Sequence, residues 1–381
     1  MSARPSLAIV CPFSWTVPGG VQTHVAGLAR HMRRQGWDVD VLAPADHHVE
    51  DPGFRSLGRT IAFRDNGSIT RVALGPAAAA RTIRIIRERG YDLVHLHEPM
   101  TPATCLTALV TARVPIVGTF HTAAPSRRWY RLFGPLLRQA APRLHARIAV
   151  SEPAHRFVSS AFPGGYSIIP NAIETATYAP NGYVRGDRLV FLGRPDPRKG
   201  LNVLLDALAL LDPVPDVDLI GVRPRDLGRR VWRRPRRVTR SLHAHGRVTA
   251  AERRRLLGEG AVLCAPSLGR ESFGLVLLEG MAAGIPVVAS HIPAYERVLP
   301  PDCGSLVPPG DPRALADALS RLFADSSLRR RPASPSRREA AGYDWSVVGE
   351  QVTDVYREVL GRNGNGGPPA PARRGRTGPR R

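Results

Sequence analysis

The chain has 381 residues and a formal net charge of +22, which is enough sequence for two domains that each bury a core. Its four cysteines lie far apart without a CxxC pair, which excludes a disulfide framework and a cysteine zinc site. No signal-peptide core precedes the first strand and no apolar run is long enough to span a membrane, so we expect a soluble or peripheral protein.

The positive charge is concentrated in three stretches. Residues 223–255 hold thirteen arginines and two acids, residues 329–338 hold five arginines, and residues 362–381 hold six. A field this local is typical of a protein with an anionic partner, such as a phospholipid surface or a nucleic acid. A solvated basic loop and a disordered basic tail are the alternative. Lys199 is the only lysine, which is either chance in an arginine-rich chain or the mark of a position that needs a compact ammonium group.

Short apolar strands and helix-length segments alternate in the first half of the chain. Predicted helices at 22–35, 77–89 and 102–112 separate predicted strands at 7–10, 39–42, 93–96, 116–119 and 147–150. This alternation indicates βαβ units and a parallel sheet, which binds ligands at the carboxyl ends of its strands. Gly19-Gly20, His97-Glu98 and His121 follow three of these strands.

The same pattern restarts after a stretch rich in proline, asparagine and glycine. The second series of strands and helices is predicted at 189–192, 201–211, 217–220, 261–264, 274–283, 286–289, 312–323 and 343–360. The fold class is therefore α/β, with two Rossmann-like doubly wound domains facing a cleft. We expect the domains at residues 1–171 and 188–345, the linker at 172–187, and a disordered basic tail at 362–381.

Two glutamates frame the start of a helix in the second domain. Glu271 lies in a strand-to-helix loop, and Glu279 lies two turns into the helix that Gly274 begins. Unpaired N–H groups at such a helix start attract a phosphate, while the carboxylates can accept hydrogen bonds from sugar hydroxyls. The alternative is an ordinary capped helix with two surface glutamates.

A second group of residues follows the strand at 189–192. Arg194, Arg198 and Lys199 come directly after Gly193, a residue that lets the backbone approach a ligand. Two cations on a diphosphate would stabilise the charge on a departing nucleotide, as a metal ion does in other enzymes. Gly19-Gly20, which opens the first helix, allows a similar approach to a phosphate.

Together these motifs resemble the GT-B glycosyltransferases of family 4, up to about residue 360. Glu271 and Glu279 match the E-x7-E element of that family, and Arg194 and Lys199 match its basic pair. Within the family, the likeness is greatest to the phosphatidylinositol mannosyltransferases of actinobacteria. It extends to Leu96-His97-Glu98-Pro99, Thr119-Phe120-His121-Thr122 and Tyr343-Asp344-Trp345-Ser346.

The resemblance implies a retaining transfer of mannose from GDP-mannose, without a catalytic metal or other cofactor. His121, Glu271, Arg194 and Lys199 would be the catalytic residues. The sugar nucleotide would contact Gly19, Gly20, Arg194, Arg198, Lys199, Glu271, Gly274, Leu275, Val276, Leu277, Leu278 and Glu279. The acceptor would contact Gln22, Asp65, Asn66 and Arg71.

The resemblance also implies a phosphatidylinositol-type lipid acceptor and a cytoplasmic enzyme, peripheral on the inner face of the plasma membrane. Residues 346–361 would form a helix that crosses back onto the first domain. The anionic partner would then be a membrane surface, with no specific nucleic acid. Alternatives are a family-4 enzyme with another sugar nucleotide and a soluble acceptor, an epimerase of the same fold, and a basic nucleic-acid-binding protein that keeps a degenerate form of it.

Two Asp-x-Asp sequences could indicate a metal site of a different glycosyltransferase fold. Asp38-Val39-Asp40 and Asp216-Val217-Asp218 both begin strands, however, and the start of a parallel strand is the wrong end for a ligand. We therefore expect surface carboxylates at both places.

Overall fold

The computed structural model describes residues 4–17, 19–65, 68–122, 134–135, 137–178, 186–330 and 333–363. The chain divides into two compact units. One contains Met1–Pro170 together with Gly349–Arg381, and the other contains Asn171–Val348.

A seven-stranded parallel sheet forms the centre of the first unit. The strands of this unit are β1 (Ser6–Val10), β2 (Asp38–Ala43), β3 (Phe54–Ser56), β4 (Ile61–Asp65), β5 (Ser68–Val72), β6 (Leu93–His97), β7 (Ile116–Phe120), β8 (Ala146–Ala149) and β9 (Ser167–Ile168). The sheet order is β3-β2-β1-β6-β7-β8-β9, while β4 and β5 form a separate antiparallel hairpin. Every residue of β6 and β7 is buried, as expected for strands covered on both faces.

Helices with complete bounds among the described residues connect these strands in the first unit. They are α1 (Gly20–Arg34), α2 (Pro76–Arg89), α3 (Cys105–Thr111) and α4 (Glu152–Ala161). In α2, Ala78, Thr82 and Ile86 are buried whereas Arg81 and Arg84 are exposed. The apolar side of α2 is therefore used in packing, and its basic side faces solvent.

The second unit repeats the architecture with six parallel strands. They are β10 (Leu189–Leu192), β11 (Val217–Ile220), β12 (Leu242–Gly246), β13 (Val262–Ala265), β14 (Val287–Ser290) and β15 (Gly304–Val307). Their order is β12-β11-β10-β13-β14-β15. The two halves of the chain thus each contain the predicted parallel sheet, which confirms the α/β fold class.

Helices cover both faces of the second sheet. They are α5 (Leu201–Leu208), α6 (Pro224–Val231), α7 (Arg236–Ser241), α8 (Ala250–Glu259), α9 (Leu275–Ala283), α10 (Pro293–Glu296), α11 (Pro312–Ala324), α12 (Ser326–Arg330) and α13 (Ala333–Ala341). Residues of α5, α7 and α11 share one apolar cluster, and residues of α8, α9, α10 and α13 share another. The alternative of a solvated loop throughout 223–255 does not hold, because this stretch contains α6, α7, β12 and the start of α8.

The last helix, α14 (Trp345–Asn363), begins in the second unit and belongs to the first unit from Gly349 onward. Tyr356 is fully buried there, and its hydroxyl lies 2.6 Å from Nδ1 of His95 on β6. Thr353 donates to the sulfur of Met32 on α1 at 3.6 Å. Residues 364–381, most of the predicted basic tail, lie outside the described residues.

The predicted linker needs correction at its beginning. Ile173 and Tyr178 are buried in the core of the second unit. The backbone N–H of Ile173 donates to the carbonyl of Tyr343 at 2.9 Å, so this part of the chain is fixed to the unit by backbone pairing. Residues 179–185 lie outside the described residues.

Both Asp-x-Asp sequences contain a buried aspartate rather than two surface carboxylates. Asp40 lies 3.0 Å from Nε of Arg89 and 3.2 Å from an Nη of Arg55, and it is 2% exposed. Asp218 is equally buried, and it lies 3.1 Å from Arg188 and 2.7 Å from His245. Each aspartate is therefore committed to ion pairs.

Among the described residues, no helix is long and apolar enough to cross a membrane.

Candidate active site

The predicted donor residues of the second unit lie in two loops that leave adjacent strands. Strands β10 and β13 pair in parallel, so their carboxyl ends lie at the same edge of the sheet. The loop after β10 carries Lys199, and the loop after β13 carries Glu271. The backbone N–H of Leu268 donates to the carbonyl of Arg198 at 2.7 Å, which joins the two loops directly.

Lys199 and Glu271 form an ion pair in which Nζ lies 2.8 Å from Oε1. The two side chains are 22% and 15% exposed, so the pair is largely enclosed but still reachable from solvent. Ser267 donates to the same carboxylate oxygen at 3.3 Å, and its Oγ lies 2.9 Å from the hydroxyl of Tyr295. Burial raises the pKa of Tyr295 well above its usual value, which keeps the phenol neutral.

Glycine is required where the two loops meet. Gly200 has a φ of +71°, and a Cβ at this position would fall on the carbonyl oxygen of Pro266. Since Gly200 follows Lys199 directly, the close approach of the backbones also places the ammonium group beside Glu271. Gly274, with a φ of +124°, turns the second loop into α9.

The other basic residues of the first loop differ in their contacts. Arg198 lies 3.2 Å from Asp196 and donates to the carbonyl of Arg270 at 3.2 Å, so it braces both loops. Arg194 is exposed just after β10. Arg198 therefore has a structural role in addition to any contact with a ligand.

The start of α9 presents the remaining predicted donor residues. Leu275 and Val276 are half-buried, whereas Leu277 and Leu278 are buried in the core. Backbone groups in the first turn are therefore the parts of 275–278 available to a ligand. The binding of a sugar nucleotide by these residues stays a prediction.

Glu279 is buried on α9 and is not part of the pair formed by Lys199 and Glu271. Its Oε1 lies 3.3 Å from Nη1 of Arg253 on α8, whereas its Oε2 has no hydrogen-bond partner among the described residues. Burial raises the pKa of Glu279, and Arg253 and Tyr178 oppose that increase. The binding of a ribose hydroxyl, the role expected of this residue, stays a prediction.

In the first unit, His121 lies directly after β7 and is held on two sides. Its Nε2 lies 2.8 Å from Nδ1 of His97, which ends the neighbouring strand β6. Its backbone N–H donates to Oε1 of Glu98 at 2.8 Å, and Thr122 donates to the same oxygen at 2.7 Å. His97 thus positions the ring of His121 and Glu98 positions its backbone, and both of these residues come from the end of β6.

A cluster of buried histidines surrounds His121. His24 of α1, His97 and His121 each bring a ring nitrogen within 4.8 Å of the other two. Burial lowers the pKa of His24 and of His97 well below the usual value, so both rings are neutral near pH 7. Neutral imidazoles are metal ligands, and this group is the one among the described residues whose spacing suits a metal ion.

Sequence reasoning missed His24 and Tyr356 as parts of this region. His24 lies four residues after Gly20, at the first turn of a helix that leaves β1, and this spacing was an available signal. Tyr356 approaches His95 across 261 residues, which no local pattern reveals.

Those of the predicted acceptor residues that the structure describes do not form a contact comparable to the ion pair between Lys199 and Glu271. The amide nitrogen of Gln22 donates to the carbonyls of Ser14 and Val17 at 3.0 and 2.9 Å, so it braces the loop before α1. Gly19 and Gly20 begin α1 at the same loop. Arg71 is exposed and lies 3.2 Å from Oδ2 of Asp46. Asp65 ends β4, and Asn66 lies outside the described residues.

Comparison with known families supports the interpretation of both halves of the chain as glycosyltransferase domains. The domain described as Glycosyltransferase Family 4 matches residues 18–177, and the domain described as Glycosyl transferases group 1 matches residues 186–325. The solved structure of a sucrose-phosphate synthase from Thermosynechococcus elongatus superposes with a TM-score of 0.72. It is 21% identical in sequence and covers 94% of this chain and 100% of its own, which supports the GT-B fold.

Two curated relatives are similar over nearly their whole length. A phosphatidyl-myo-inositol mannosyltransferase of Mycobacterium leprae is 41% identical over 366 residues, which cover 93% of this chain and 96% of that protein. One of Propionibacterium freudenreichii is 35% identical over 379 residues and covers 94% and 96%. The resemblance seen in the motifs is thereby confirmed, and the chain belongs to glycosyltransferase family 4.

Proposed function

We propose that this glycosyltransferase transfers mannose, with retention of configuration, from GDP-mannose to a phosphatidylinositol-type lipid at the inner face of the plasma membrane. The ion pair between Lys199 and Glu271 is the observation that carries the proposal. The names of the relatives, which share about two-fifths of their residues with this chain, support the choice of sugar and acceptor.

The pair suits a site that receives a sugar diphosphate. Without donor, the carboxylate of Glu271 neutralises the ammonium of Lys199 at 2.8 Å. The diphosphate of a donor is the stronger anion, so it takes Lys199 as its partner and releases Glu271 to accept hydrogen bonds from sugar hydroxyls. As the bond to the sugar breaks, negative charge grows on the departing diphosphate, and Lys199 and Arg194 stabilise that charge.

His121 is the residue of the first unit that we assign to the transferred sugar. His97 and Glu98 fix its ring and backbone at 2.8 Å each, so it does not need to be ordered when the substrate binds. Its imidazole offers a hydrogen bond to a sugar hydroxyl or to an oxygen that gains charge during transfer.

The decisive experiment supplies a panel of sugar nucleotides and follows both binding and transfer. We expect GDP-mannose to raise the midpoint of thermal unfolding more than UDP-glucose, UDP-N-acetylglucosamine or GDP alone. We also expect a mannosylated product from phosphatidylinositol, with an α-linkage shown by digestion with an α-mannosidase. Transfer from a different sugar nucleotide would contradict the proposed donor. Transfer to free inositol phosphate and not to the lipid would replace the proposed lipid acceptor with a soluble one.

Metal removal gives a separate test of the chemistry. Two cations of the loop after β10 would replace a metal ion at the leaving diphosphate, so we expect the same transfer rate with and without EDTA. The histidine cluster makes the test necessary, because its spacing suits a metal ion. A large loss of rate that Mg²⁺, Mn²⁺ or Zn²⁺ restores would contradict metal-independent transfer.

A further inference from the structure

The basic segment 223–240 of the second unit is fixed to the domain along one side. Val238 lies in the apolar cluster that contains the buried residues of α5, and Leu227 and Val231 pack against it. Three arginines then bind along α5 in order. Arg230 Nη1 donates to Asn202 Oδ1 at 2.9 Å, Arg234 Nη2 to Asp206 Oδ1 at 2.7 Å, and Arg237 Nη2 to the carbonyl of Ala209 at 2.9 Å.

The spacing of these contacts divides the segment into two faces. Positions 230, 234 and 237 have the same intervals as positions 202, 206 and 209, so the three arginines contact positions about one helical turn apart, the last of them just after the end of α5. The other large side chains of this part of the segment are not held by α5 in this way. Trp232, Arg233, Arg236 and Arg240 are exposed, and we call these four residues the Trp232 face.

Trp232 is the most exposed large apolar side chain among the described residues, at 69%. The guanidinium of Arg233 lies over its indole ring, 4.7 Å from the ring centroid. This cation–π contact orders the tryptophan without covering it. An ordered but uncovered indole is a large apolar surface kept in water, which indicates a partner for it.

No nearby carboxylate compensates the charge of the Trp232 face. Asp206 is bound by Arg234, and Asp226 lies 2.9 Å from Arg223. Arg233, Arg236 and Arg240 form no ion pair with any carboxylate in the part of the chain that the structure describes. The face therefore combines an exposed indole with three uncompensated guanidinium groups.

Phospholipid headgroups match this combination closely. Indole rings prefer the boundary between the headgroups and the acyl chains, and guanidinium groups bind phosphate through paired hydrogen bonds. Single-stranded nucleic acid would instead need successive aromatic platforms for its bases, and the segment has a single aromatic residue. We propose that the Trp232 face docks on a bilayer that contains anionic phospholipid.

This proposal rests on the proposed function in one respect, since a lipid acceptor makes docking useful, but the docking can be measured without any transfer. The test is flotation of the full chain with phosphatidylcholine vesicles, with and without phosphatidylglycerol. We compare the wild type with Trp232→Ala and with the double variant Arg233→Gln/Arg236→Gln. The matched control is Arg297→Gln/Arg338→Gln, which removes two exposed charges beside the helices on the other face of the same sheet.

The wild type is expected to float with vesicles that contain phosphatidylglycerol, less at high salt, and not with phosphatidylcholine alone. The arginine double variant should bind on the order of ten-fold more weakly, from the usual effect of an arginine near an anionic surface. Trp232→Ala should also weaken binding, whereas the control should match the wild type. Thermal unfolding and the binding of GDP-mannose should be the same for all four proteins, which shows that each variant is folded.

Equal flotation of the wild type and both face variants would overturn the proposal, as would equal binding to neutral vesicles. A single-stranded RNA that binds the wild type but not the face variants, with unchanged flotation, would assign the face to nucleic acid instead. Transfer to a short-chain, water-soluble phosphatidylinositol separates the two proposals. If the face variants lose flotation while no lipid receives mannose from the wild type, the docking stands and the proposed acceptor fails.

Discussion

When no donor is bound, Lys199 and Glu271 neutralise each other's charge through their ion pair. Removal of the carboxylate leaves the ammonium group of Lys199, 22% exposed, without its ion-pair partner. Removal of the lysine leaves the carboxylate with Ser267 as its hydrogen-bond donor. Because both groups remain in contact with solvent, either loss should affect ligand binding more than folding.

We expect Lys199→Ala and Glu271→Ala each to lower the turnover number by about 100-fold or more, because each removes a charge from the donor site. Lys199→Arg should also be impaired, since a planar guanidinium does not fit where a compact ammonium makes one short contact. Initial rates at saturating donor measure the effect, and thermal unfolding shows whether the fold is intact. A rate within a few-fold of the wild type for either alanine variant would remove these residues from the catalytic site.

The buried histidines of the first unit make it sensitive to acid. Burial lowers the pKa of His95 to about 3, and its two nitrogens contact Tyr356 and Thr119 at 2.6 and 2.7 Å. The unfolded chain binds a proton at this residue near the ordinary histidine value of 6.5, whereas the folded protein does not. The stability that neutral His95 contributes is therefore present above pH 6.5 and is lost as the pH falls toward 3.

His95 alone should lower the free energy of unfolding by about 2 kcal/mol between pH 7 and pH 5, and His24 and His97 act in the same direction. Glu98 acts in the opposite direction, because its pKa is raised by burial. We expect His95→Gln to be less stable at pH 7 but to lose less stability on acidification. Urea unfolding at several pH values measures this difference. Exposed His48→Gln is the control and should keep the wild-type slope.

Residue types indicated the residues of the candidate donor site better than they indicated the contacts of those residues. The single lysine and the glutamate before α9 were predictable, because both follow strand ends in a recognisable order. The bracing roles of Gln22 and Arg198 were not predictable, because they depend on loop conformations. The burial of Asp40 and Asp218 was missed for a related reason, since their arginine partners come from distant positions in the chain.

Among the elements, α2 has the clearest division between a buried packing side and an exposed basic side. Its buried side is used against the core of the first unit, so an exposed basic side, with Arg81 and Arg84, is what remains for an anionic surface. We expect Arg81→Glu/Arg84→Glu to reduce both flotation with anionic vesicles and transfer to the lipid, without a change in donor binding. Thermal unfolding provides the check on folding. Wild-type flotation and transfer in this variant would show that α2 does not dock.

Central strands were predictable from sequence, but edge strands were not. Strands β1, β6, β7, β10 and β13 read as continuous apolar runs because both of their faces are covered. Strand β12 lies at a sheet edge, and its half-buried residues include His243 and His245, so its sequence shows neither a run nor an apolar alternation. The helices α6 and α7 were missed because an arginine-rich sequence is typical of a solvated loop. The hydrogen-bond partners of these arginines on and just after α5 are visible only in the structure.

At the scale of the whole molecule, the second unit is continuous in sequence and the first is not. We expect a fragment of residues 171–348 to unfold cooperatively by itself, because both faces of its sheet are covered by its own helices. A fragment of residues 1–170 should lack cooperative unfolding, since Val352, Tyr356 and Val359 are buried in the complete unit. Circular dichroism during heating tests both fragments. A peptide of residues 345–363 should restore cooperative unfolding to the fragment of residues 1–170. Cooperative unfolding of that fragment without the peptide would contradict the expectation that its core needs α14.

The discontinuity has a consequence for the order of events on the ribosome. The second unit ends at Val348, within the first turn of α14, so nearly all of it is synthesised before the rest of α14 and can begin to fold while the polypeptide is still growing. The first unit begins synthesis earlier but waits for Tyr356, 261 residues after His95, before its core is complete. A nascent chain that stops just after residue 348 therefore carries a complete second unit and an incomplete first unit. Release of such a chain exposes the surface that α14 would have covered, which marks the incomplete product for chaperones and proteases.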